Sequence, residues 1–466
     1  MSLVELPTTP PDAAGVAVFR NRPFLLLWLS QLATQVGGNM VLYGLTILIR
    51  DLTGSNSAVA LLILTFLAPA VIFSALAGVY VDRFDRRMVL VVTNLLRAGF
   101  FIALALFGAN VAAVFVLNMA VSVATTFFAP AELSMIPLVV PRGQLTAANG
   151  IFTLTLNAAF AIGFTVLGPL VVTIANPTIL VVIVAVLYVV AAVFCWTLPP
   201  APPGTMPHDT ALQETQEAVG SFVVQFREGI GYVRAHPPVR WALVYLGIAA
   251  SIVGILGVLG PGFAEDVLGL RTKDFVVVVL PLGIGLVVGS VGVNALQSLV
   301  SRRRMIEAGL IVLGASLALI SIAGPIAQVV RDVDDAVPGP DISAFISVLT
   351  VVVAIAFVAG VGYAATAIPA QTELQAEIPQ AVRGRVFGIL NMLVSVGSLL
   401  PLIVVGTISD VVGTMPVVLA AAAVTLVVGV ASVLKRREAA PADDPFRRGE
   451  VDLDAAAAAA SSPEEP

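Results

Sequence analysis

Charged residues are scarce in this chain: they make up 11% of its 466 residues, whereas hydrophobic residues make up 58%. The mean hydropathy is +1.01. A soluble protein of this length could not keep so much apolar surface away from water, so the composition indicates a membrane protein that crosses the bilayer several times.

The chain also lacks the residues that several other protein classes need. Its single cysteine, Cys195, excludes an intramolecular disulfide, and two histidines without a Cys/His cluster argue against a structural zinc site. No phosphate-binding loop is present, so ATP does not drive the protein directly, and no nucleophile–base arrangement points to an enzyme. Residues 1–22 lack the charged, apolar and small-residue pattern of a signal peptide, so we expect no cleavable one there. We therefore predict no metal, no cofactor and no nucleic-acid partner.

Long apolar runs dominate instead. Each is long enough for a helix of about 20 residues to cross the hydrocarbon layer. The twelve predicted spans are residues 24–49, 57–81, 88–107, 111–131, 147–174, 177–198, 240–260, 275–299, 305–328, 343–368, 386–408 and 413–434.

The placement of basic residues predicts the orientation. With a cytoplasmic N-terminus, nineteen of the 24 Lys and Arg residues lie in inside segments and one, Arg97, lies in a span. The outside segments carry only Arg50, Arg271, Lys273 and Arg331. Because positive residues favour the cytoplasmic side, both termini are predicted to be cytoplasmic, with the protein in the cell membrane.

The remaining segments divide the chain into five parts. Residues 1–22 form a cytoplasmic N-terminal segment, 23–198 a first half and 240–434 a second half, each half with six spans. Residues 199–239 form a cytoplasmic linker, whose later part has the apolar spacing of an amphipathic helix on the membrane surface; an unstructured linker is the alternative. Residues 435–466 are predicted to be a disordered cytoplasmic tail.

The segment 78–87, between spans two and three, reads Gly-Val-Tyr-Val-Asp-Arg-Phe-Asp-Arg-Arg. Five of the six residues from Asp82 to Arg87 are charged, so this short turn must lie at a bilayer face. Its pattern, G-x-x-x-D-R-x-x-R-R, resembles the signature loop of the major facilitator superfamily of transporters. A positive-inside anchor needs only basic residues, so Gly78 and Asp82 favour the family resemblance.

The resemblance implies an all-α membrane protein with twelve transmembrane helices in two six-helix, pseudo-symmetric halves. Pro130 after span four and Pro369 after span ten support the repeat, since each is soon followed by an acid. Residues 94–98 and 383–388 resemble the branch that includes enterobactin-type and macrolide-type exporters. This implies a monomer that exports a small organic molecule by using the proton gradient.

A latch between the halves is predicted at the cytoplasmic face. The N-terminus of span eleven carries the positive end of a helix dipole, and the Asp82 carboxylate would bind there. Gly78 would let spans two and eleven approach closely, and Arg86 or Arg87 would reach Glu132. The alternative is that these charges only set the topology. The predicted latch residues are Gly78, Asp82, Arg83, Arg86, Arg87, Glu132 and Arg385.

A substrate cavity is predicted from polar residues inside the spans. Gln31, Gln35 and Asn39 are four residues apart and share one helix face, which would be costly against lipid. Arg97 either faces the cavity or reaches toward the interface and Glu132. For the other polar residues, the alternative to lining a cavity is hydrogen bonding between helices. The predicted cavity residues are Gln31, Gln35, Asn39, Arg97, Asn118, Asn157, Asn294 and Asn391.

One position departs from drug-exporting relatives, many of which carry an acid in span one. Here Asn39 follows Gly38 and cannot titrate, and no acid is expected deep in any span. Neutral or zwitterionic substrates are therefore expected, and lipophilic cations are expected to be poor substrates. If Arg97 faces the cavity, its positive field would favour neutral or anionic compounds further. The acids left for proton coupling lie near helix ends: Asp51, Glu132, Glu265, Asp266 and Glu307. Two other functions remain open: a lipid or metabolite carrier, and a transport-inactive sensor or scaffold.

Overall fold

A computed structural model of the chain describes residues 18–81, 83–201, 227, 230–231, 233–268, 271–336, 348–377, 401 and 404–438. Nearly all of these residues are helical, and no β-strand occurs among them. The predicted all-α class is confirmed. Helices suit a bilayer because each one satisfies its backbone hydrogen bonds within its own segment.

The first half contains six helices joined by short turns. α5 is interrupted, since it consists of Leu145–Ile162, a π-helical segment Gly163–Leu167 and Gly168–Ile174. The other five are α1 (Arg22–Thr53), α2 (Asn56–Val81), α3 (Arg86–Phe107), α4 (Val111–Val139) and α6 (Pro177–Trp196).

The second half follows the same plan. Its helices are α7 (Pro237–Asp266), α8 (Val276–Leu296), α9 (Arg302–Ala336), α10 (Val348–Glu377), α11 (404–412) and α12 (Thr414–Glu438). α12 runs four residues beyond the predicted boundary at 434. The rest of the predicted tail and most of the linker and of residues 1–22 lie outside the described residues.

Side-chain caps explain several helix starts. Asp85, Asn110 and Asn176 precede α3, α4 and α6, and each side chain accepts a hydrogen bond from a backbone N–H in the first turn. Such caps satisfy donors that have no partner within the helix. α1 ends at Gly54, whose φ of 64° is the left-handed conformation that glycine adopts without strain.

Among the described residues, ten helices are long and apolar enough to cross a membrane. A shorter apolar stretch, Asn56–Ala70, belongs to the 26-residue helix α2. Eleven of the predicted spans therefore coincide with helices. Most of the predicted span 386–408 lies outside the described residues, so that span stays a prediction.

Two predicted boundaries were wrong in the same way. Spans four and ten were predicted to end at residues 131 and 368, next to Pro130 and Pro369, but α4 continues to Val139 and α10 to Glu377. Proline is tolerated inside membrane helices because neighbouring groups satisfy the carbonyl that it leaves unpaired. The error matters because both extensions contain a buried acid: Glu132 is 5% exposed and Glu373 is 8% exposed.

The two halves pack together at one end of the bundle, where α1 ends and α2 begins. There Tyr43 stacks on Phe275, with 6.2 Å between ring centroids, in a hydrophobic cluster that contains residues of both halves. At the opposite end each half has a cluster of its own. One surrounds Met135 in the first half, and another contains Val239 and Leu374 in the second.

Candidate functional site

A buried arginine occupies the middle of the first half. Arg97 of α3 is 2% exposed. Its guanidinium donates to the Asn94 Oδ1 atom at 2.6 Å, to the Thr93 carbonyl at 3.3 Å and to the Thr125 hydroxyl at 3.4 Å. These acceptors hold the side chain in place within the bundle, so Arg97 does not extend to the membrane surface.

Two aromatic rings and one carboxylate surround this guanidinium. Its central carbon lies 4.2 Å from the centroid of the Phe128 ring and 4.7 Å from that of Tyr188. Glu132, one helical turn beyond Phe128 on α4, interacts electrostatically with Arg97. A buried cation needs such compensation, and Glu132 is the carboxylate of the described residues that interacts electrostatically with Arg97.

A cavity of about 190 Å³ lies beside Arg97 within the first half. Its polar wall comes from α1, α3 and α4, and its aromatic wall from Phe66, Phe101 and Tyr188. Binding pockets for small organic molecules combine apolar walls with a few polar groups in this way. The polar residues that line it are Thr34, Gln35, Asn39, Arg97, Asn118 and Thr125.

The predicted cavity residues divide into two groups. Gln35, Asn39, Arg97 and Asn118 line the cavity. Asn118 also donates to the Leu62 carbonyl at 3.2 Å and to the Thr65 hydroxyl at 3.1 Å, and so joins α4 to α2.

Of the other four predicted residues, Gln31 and Asn294 do not line the cavity. Gln31 is buried and donates to the Phe152 carbonyl at 3.4 Å, which is the bonding between helices that was the alternative. Asn294 is exposed near the end of α8. The side chain of Asn157 and the whole of Asn391 lie outside the described residues.

Sequence reasoning missed the residues that position Arg97. Tyr188 lies in a strongly apolar span, and its hydroxyl donates to the Thr34 carbonyl at 3.2 Å. Asn94 donates to the Cys195 sulfur at 3.6 Å, which links α3 to α6. A tyrosine in an apolar helix is common, and Asn94 was noted only as part of the resemblance of residues 94–98, so only the packing identifies Tyr188 and Asn94 as site residues.

The signature loop is anchored to the end of α6. The Asp85 carboxylate accepts from the backbone N–H groups of Arg87 and Ala201, and the Arg86 N–H donates to the Ala201 carbonyl at 3.2 Å. The Arg87 guanidinium lies 4.9 Å from the Trp196 ring. Arg87 thus contacts its own half, and Glu132 faces Arg97.

The predicted cytoplasmic latch is only partly within the described residues. Gly78 lies near the end of α2, and Arg83 lies in the turn that follows. Asp82, Arg385 and the start of span eleven lie outside the described residues, so the contact between them stays a prediction.

A polar network joins the halves at the opposite end of the bundle. Arg50, which is 6% exposed, binds Glu265 at 3.1 Å and Asp266 at 2.9 Å. Asp266 in turn accepts from the Thr414 hydroxyl at 3.0 Å, and Arg50 donates to the Asn56 side chain at 3.1 Å. Because Arg50 and Asn56 belong to the first half and the other three to the second, this network holds that end closed.

Asp410 provides a second contact of the same kind. Its carboxylate accepts from the backbone N–H groups of Asn56 and Ser57 and from the hydroxyls of Ser55 and Ser57. Partial burial raises the pKa of Asp410, but these bonds outweigh it and bring the pKa below the ordinary value of 3.8. A carboxylate of the second half thus caps the N-terminus of α2.

Comparison with known proteins places this arrangement in a family. Residues 27–332 match the family model described as Major Facilitator Superfamily. The chain belongs to the major facilitator superfamily. The matched region includes the signature loop, Arg97 and Glu132, so these residues lie in the part of the chain that carries the family's pattern.

One relative resembles most of the chain, and another resembles a part of it. The multidrug efflux pump Tap of Mycolicibacterium fortuitum is 24% identical over 431 residues, which cover 90% of this chain and 97% of Tap. The uncharacterized MFS-type transporter YkuC of Bacillus subtilis (strain 168) is 32% identical over 139 residues, which cover 29% of this chain and 32% of YkuC.

Solved structures confirm the transporter fold. The nucleoside transporter NupG has a TM-score of 0.62 at 15% identity, covering 88% of this chain and 98% of that chain. A bacterial homologue of the lysosomal transporter Spinster, in an inward-facing conformation, has a TM-score of 0.60 at 15% identity, covering 89% of this chain and 94% of that chain. At these identities the likeness concerns the fold alone.

Proposed function

We propose that this protein exports small, amphipathic organic molecules of no net charge from the cell, by alternating access coupled to protons. The cavity beside Arg97 is the observation that carries the proposal. Its amide and hydroxyl groups suit a substrate with hydrogen-bonding groups, and its aromatic wall suits an apolar ring or chain. A cavity of about 190 Å³ is small, so it suits a small molecule or one end of a larger one.

The charges around the cavity support the choice of uncharged substrates. Asn39 is neutral, and the positive charge of Arg97 has Glu132 as a counter-charge. The positive field of Arg97 was expected to favour neutral or anionic compounds, and its interaction with Glu132 makes uncharged ones the better choice. Lipophilic cations still find no carboxylate among the residues that line the cavity.

The conformation is consistent with alternating access. The contacts of Arg50 and Asp410 close one end of the bundle. With both termini in the cytoplasm and the protein in the cell membrane, as we propose, this closed end faces outward. The structure would then correspond to the state that takes up substrate from the cytoplasm.

Export is favoured by the resemblance of residues 94–98 and 383–388 to enterobactin-type and macrolide-type exporters, and by the overall similarity to Tap. The carrier and sensor alternatives predict no change in drug or dye sensitivity. We propose the exporter because its substrate class agrees with the walls of the cavity.

The test is accumulation of three compounds in cells with and without the gene. Chloramphenicol and Nile red are uncharged, and ethidium is a lipophilic cation. We expect both uncharged compounds to accumulate more in cells without the gene, and ethidium to accumulate equally. Equal accumulation of all three would contradict the exporter. Strong ethidium export that stops on adding an uncoupler would contradict the proposed substrate class.

A further inference from the structure

We propose that Glu132 is the carboxylate that binds and releases the coupled proton. Arg97 lines the cavity, and the charge of Glu132 decides whether the positive charge of Arg97 is compensated there. This inference rests on the proposed function and assigns its proton-binding site. The transported proton would bond to a carboxylate oxygen of Glu132 while the outer side is open, and would pass to water on the cytoplasmic side.

The position of Glu132 meets the first requirement of a coupling site. It lies seven residues before the end of α4, which is about 10 Å along a helix, and it is 5% exposed. Its Oε1 atom has no hydrogen-bond partner among the described residues. A buried carboxylate oxygen without a donor is costly, and protonation turns it into a neutral hydroxyl.

Among the described residues, two titratable groups interact electrostatically with Glu132: the Arg97 guanidinium on α3 and the Cys195 thiol on α6. Tyr188, also on α6, contacts Arg97. Arg97 is therefore the cation whose compensation changes when Glu132 gains or loses a proton.

Because of this interaction, protonation of Glu132 and binding of the substrate oppose each other. With Glu132 ionised, the pair has no net charge, and an uncharged ligand can fill the cavity beside Arg97 at little electrostatic cost. With Glu132 protonated, Arg97 is an uncompensated cation in a low-dielectric site and needs water in the cavity. Water then competes with the ligand, so protonation favours release. This is the relation that exchange of a proton for an uncharged molecule requires.

The other acids near helix ends are less suited. Asp51 is exposed, and Glu265 and Asp266 are about half exposed and bound to Arg50. Glu307 is buried, but it accepts from Arg303 at 3.2 Å and from Ser432 at 3.1 Å. None of these four is among the groups that interact electrostatically with Arg97, whereas Glu132 is.

The experiment uses the full chain in proteoliposomes with radiolabelled chloramphenicol as the probe. It compares uphill transport driven by a pH gradient with chloramphenicol–chloramphenicol exchange at equal pH on both sides. Exchange needs no net proton movement, so it reports binding and conformational change without coupling. The variants are Glu132→Gln and the control Glu373→Gln, which removes the acid at the corresponding place in the second half, where it pairs with Arg302 at 3.5 Å.

We expect Glu132→Gln to lose gradient-driven transport while it keeps exchange. Its exchange should need more chloramphenicol for half-saturation and should no longer weaken as the pH falls, as it does in the wild type. Glu373→Gln should keep gradient-driven transport and the wild-type pH profile. If Glu132→Gln is unstable, Glu132→Asp should keep coupling with a shifted pH profile.

Three results would overturn the inference: gradient-driven transport by Glu132→Gln at the wild-type rate, loss of exchange in folded Glu132→Gln, or an unchanged pH profile in Glu132→Asp. A wild type that moves no chloramphenicol would be a different failure. It would contradict the proposed function for this compound, and the inference would fall with it.

Discussion

At the scale of single residues, the buried pair Arg97 and Glu132 dominates the first half. Each group lies where an isolated ion would be costly, and the two interact electrostatically. Removing one partner leaves the other charge buried, and such changes cost about 3–5 kcal/mol. The pair therefore affects the stability of the protein as well as its candidate site.

We predict that Arg97→Ala strongly destabilises the protein, by about 3–5 kcal/mol, because it leaves Glu132 uncompensated. The double variant Arg97→Ala/Glu132→Gln should recover much of that loss, since it leaves no buried charge at the site. Thermal unfolding of the purified variants in detergent measures both. If the double variant is less stable than Arg97→Ala alone, the two side chains do not compensate each other.

Asp410 is the residue whose removal should open the outer end. Asp410→Asn weakens the carboxylate cap on α2, a loss of about 1 kcal/mol because the contact is partly solvated. Val59, fully buried near that end, can be changed to cysteine as a reporter, and the native Cys195 is buried. We expect Asp410→Asn to speed labelling of this cysteine by a membrane-impermeant maleimide from outside.

The control for Asp410 is Asp274→Asn. Asp274 pairs with the exposed Arg271 within the second half, and this bond crosses no interface between halves. The Asp274→Asn variant should leave the labelling rate of the Val59→Cys reporter unchanged. Equal acceleration in both variants would mean that loss of any negative charge at this face opens the end.

The pH dependence of this contact has a definite sign. The pKa of Asp410 is lowered in the closed state, so its stabilisation is complete above the ordinary value of 3.8 and is lost as the pH falls through the lowered value. Titration of Asp410 should therefore cause no change in the labelling rate of the reporter cysteine between about pH 5 and pH 8. A steep change in that range would have to come from another group.

At the scale of helices, α1 and α5 are held together through the π-helical segment. A Cβ atom added to Gly163 would lie 2.6 Å from the Val36 carbonyl oxygen and 2.9 Å from the Asn39 Cβ atom. This close approach fixes the face of α1 that carries Asn39. The π-helical turn therefore belongs to the architecture of the site.

We predict that Gly163→Ala lowers the free energy of unfolding by about 1–3 kcal/mol, because the added methyl group forces α1 and α5 apart. Gly150→Ala is the matched control on the same helix, where an added Cβ would meet nothing within 4 Å. Thermal unfolding should separate the two. A Gly163→Ala variant as stable as Gly150→Ala would show that α1 shifts without cost.

The helices that meet at the two ends of the bundle suggest opposing latches. On the cytoplasmic side, Asp82 of the signature loop is predicted to bind the N-terminus of span eleven. On the other side, Asp410, beyond the end of that span, binds the N-terminus of α2. The same pair of spans would then be fastened by one carboxylate at each end, with only one contact formed at a time.

We predict that Asp82→Asn and Asp410→Asn shift the conformation in opposite directions. Loss of the Asp82 contact, worth up to about 2 kcal/mol, should favour the state open to the cytoplasm and slow transport without preventing insertion. Labelling of the Val59→Cys reporter should fall or stay constant in Asp82→Asn, whereas it rises in Asp410→Asn. Unchanged transport by Asp82→Asn at wild-type expression would argue that the loop only sets topology.

At the scale of the whole molecule, the orientation decides which end is the outside. The predicted cytoplasmic segments hold nineteen of the 24 basic residues, and we propose that both termini lie there. A reporter active only outside the cell should work after Gly54, between α1 and α2, and fail after Gly143, between α4 and α5. The reverse result would invert the orientation and turn the observed state into an outward-open one.

The sequence alone determined the class of the protein, most of the spans and the family. Apolar runs must be helical in lipid, and the signature loop has charges at fixed spacing, so both are local patterns that the chain shows directly. The sequence also indicated Gln35, Asn39, Arg97 and Asn118 as cavity residues, because a polar side chain inside a span is costly against lipid.

Only the tertiary structure decided how these residues combine. Glu132 was placed near a helix end because Pro130 looked like a boundary, yet neighbouring helices allow α4 to continue and to bury the acid beside Arg97. Tyr188 and Asp410 gave no signal, since they act on groups far away in the chain: Tyr188 bonds to Thr34 and packs on Arg97, and Asp410 bonds to Asn56. Contacts between distant spans follow from packing in three dimensions, and no local pattern in the sequence encodes them.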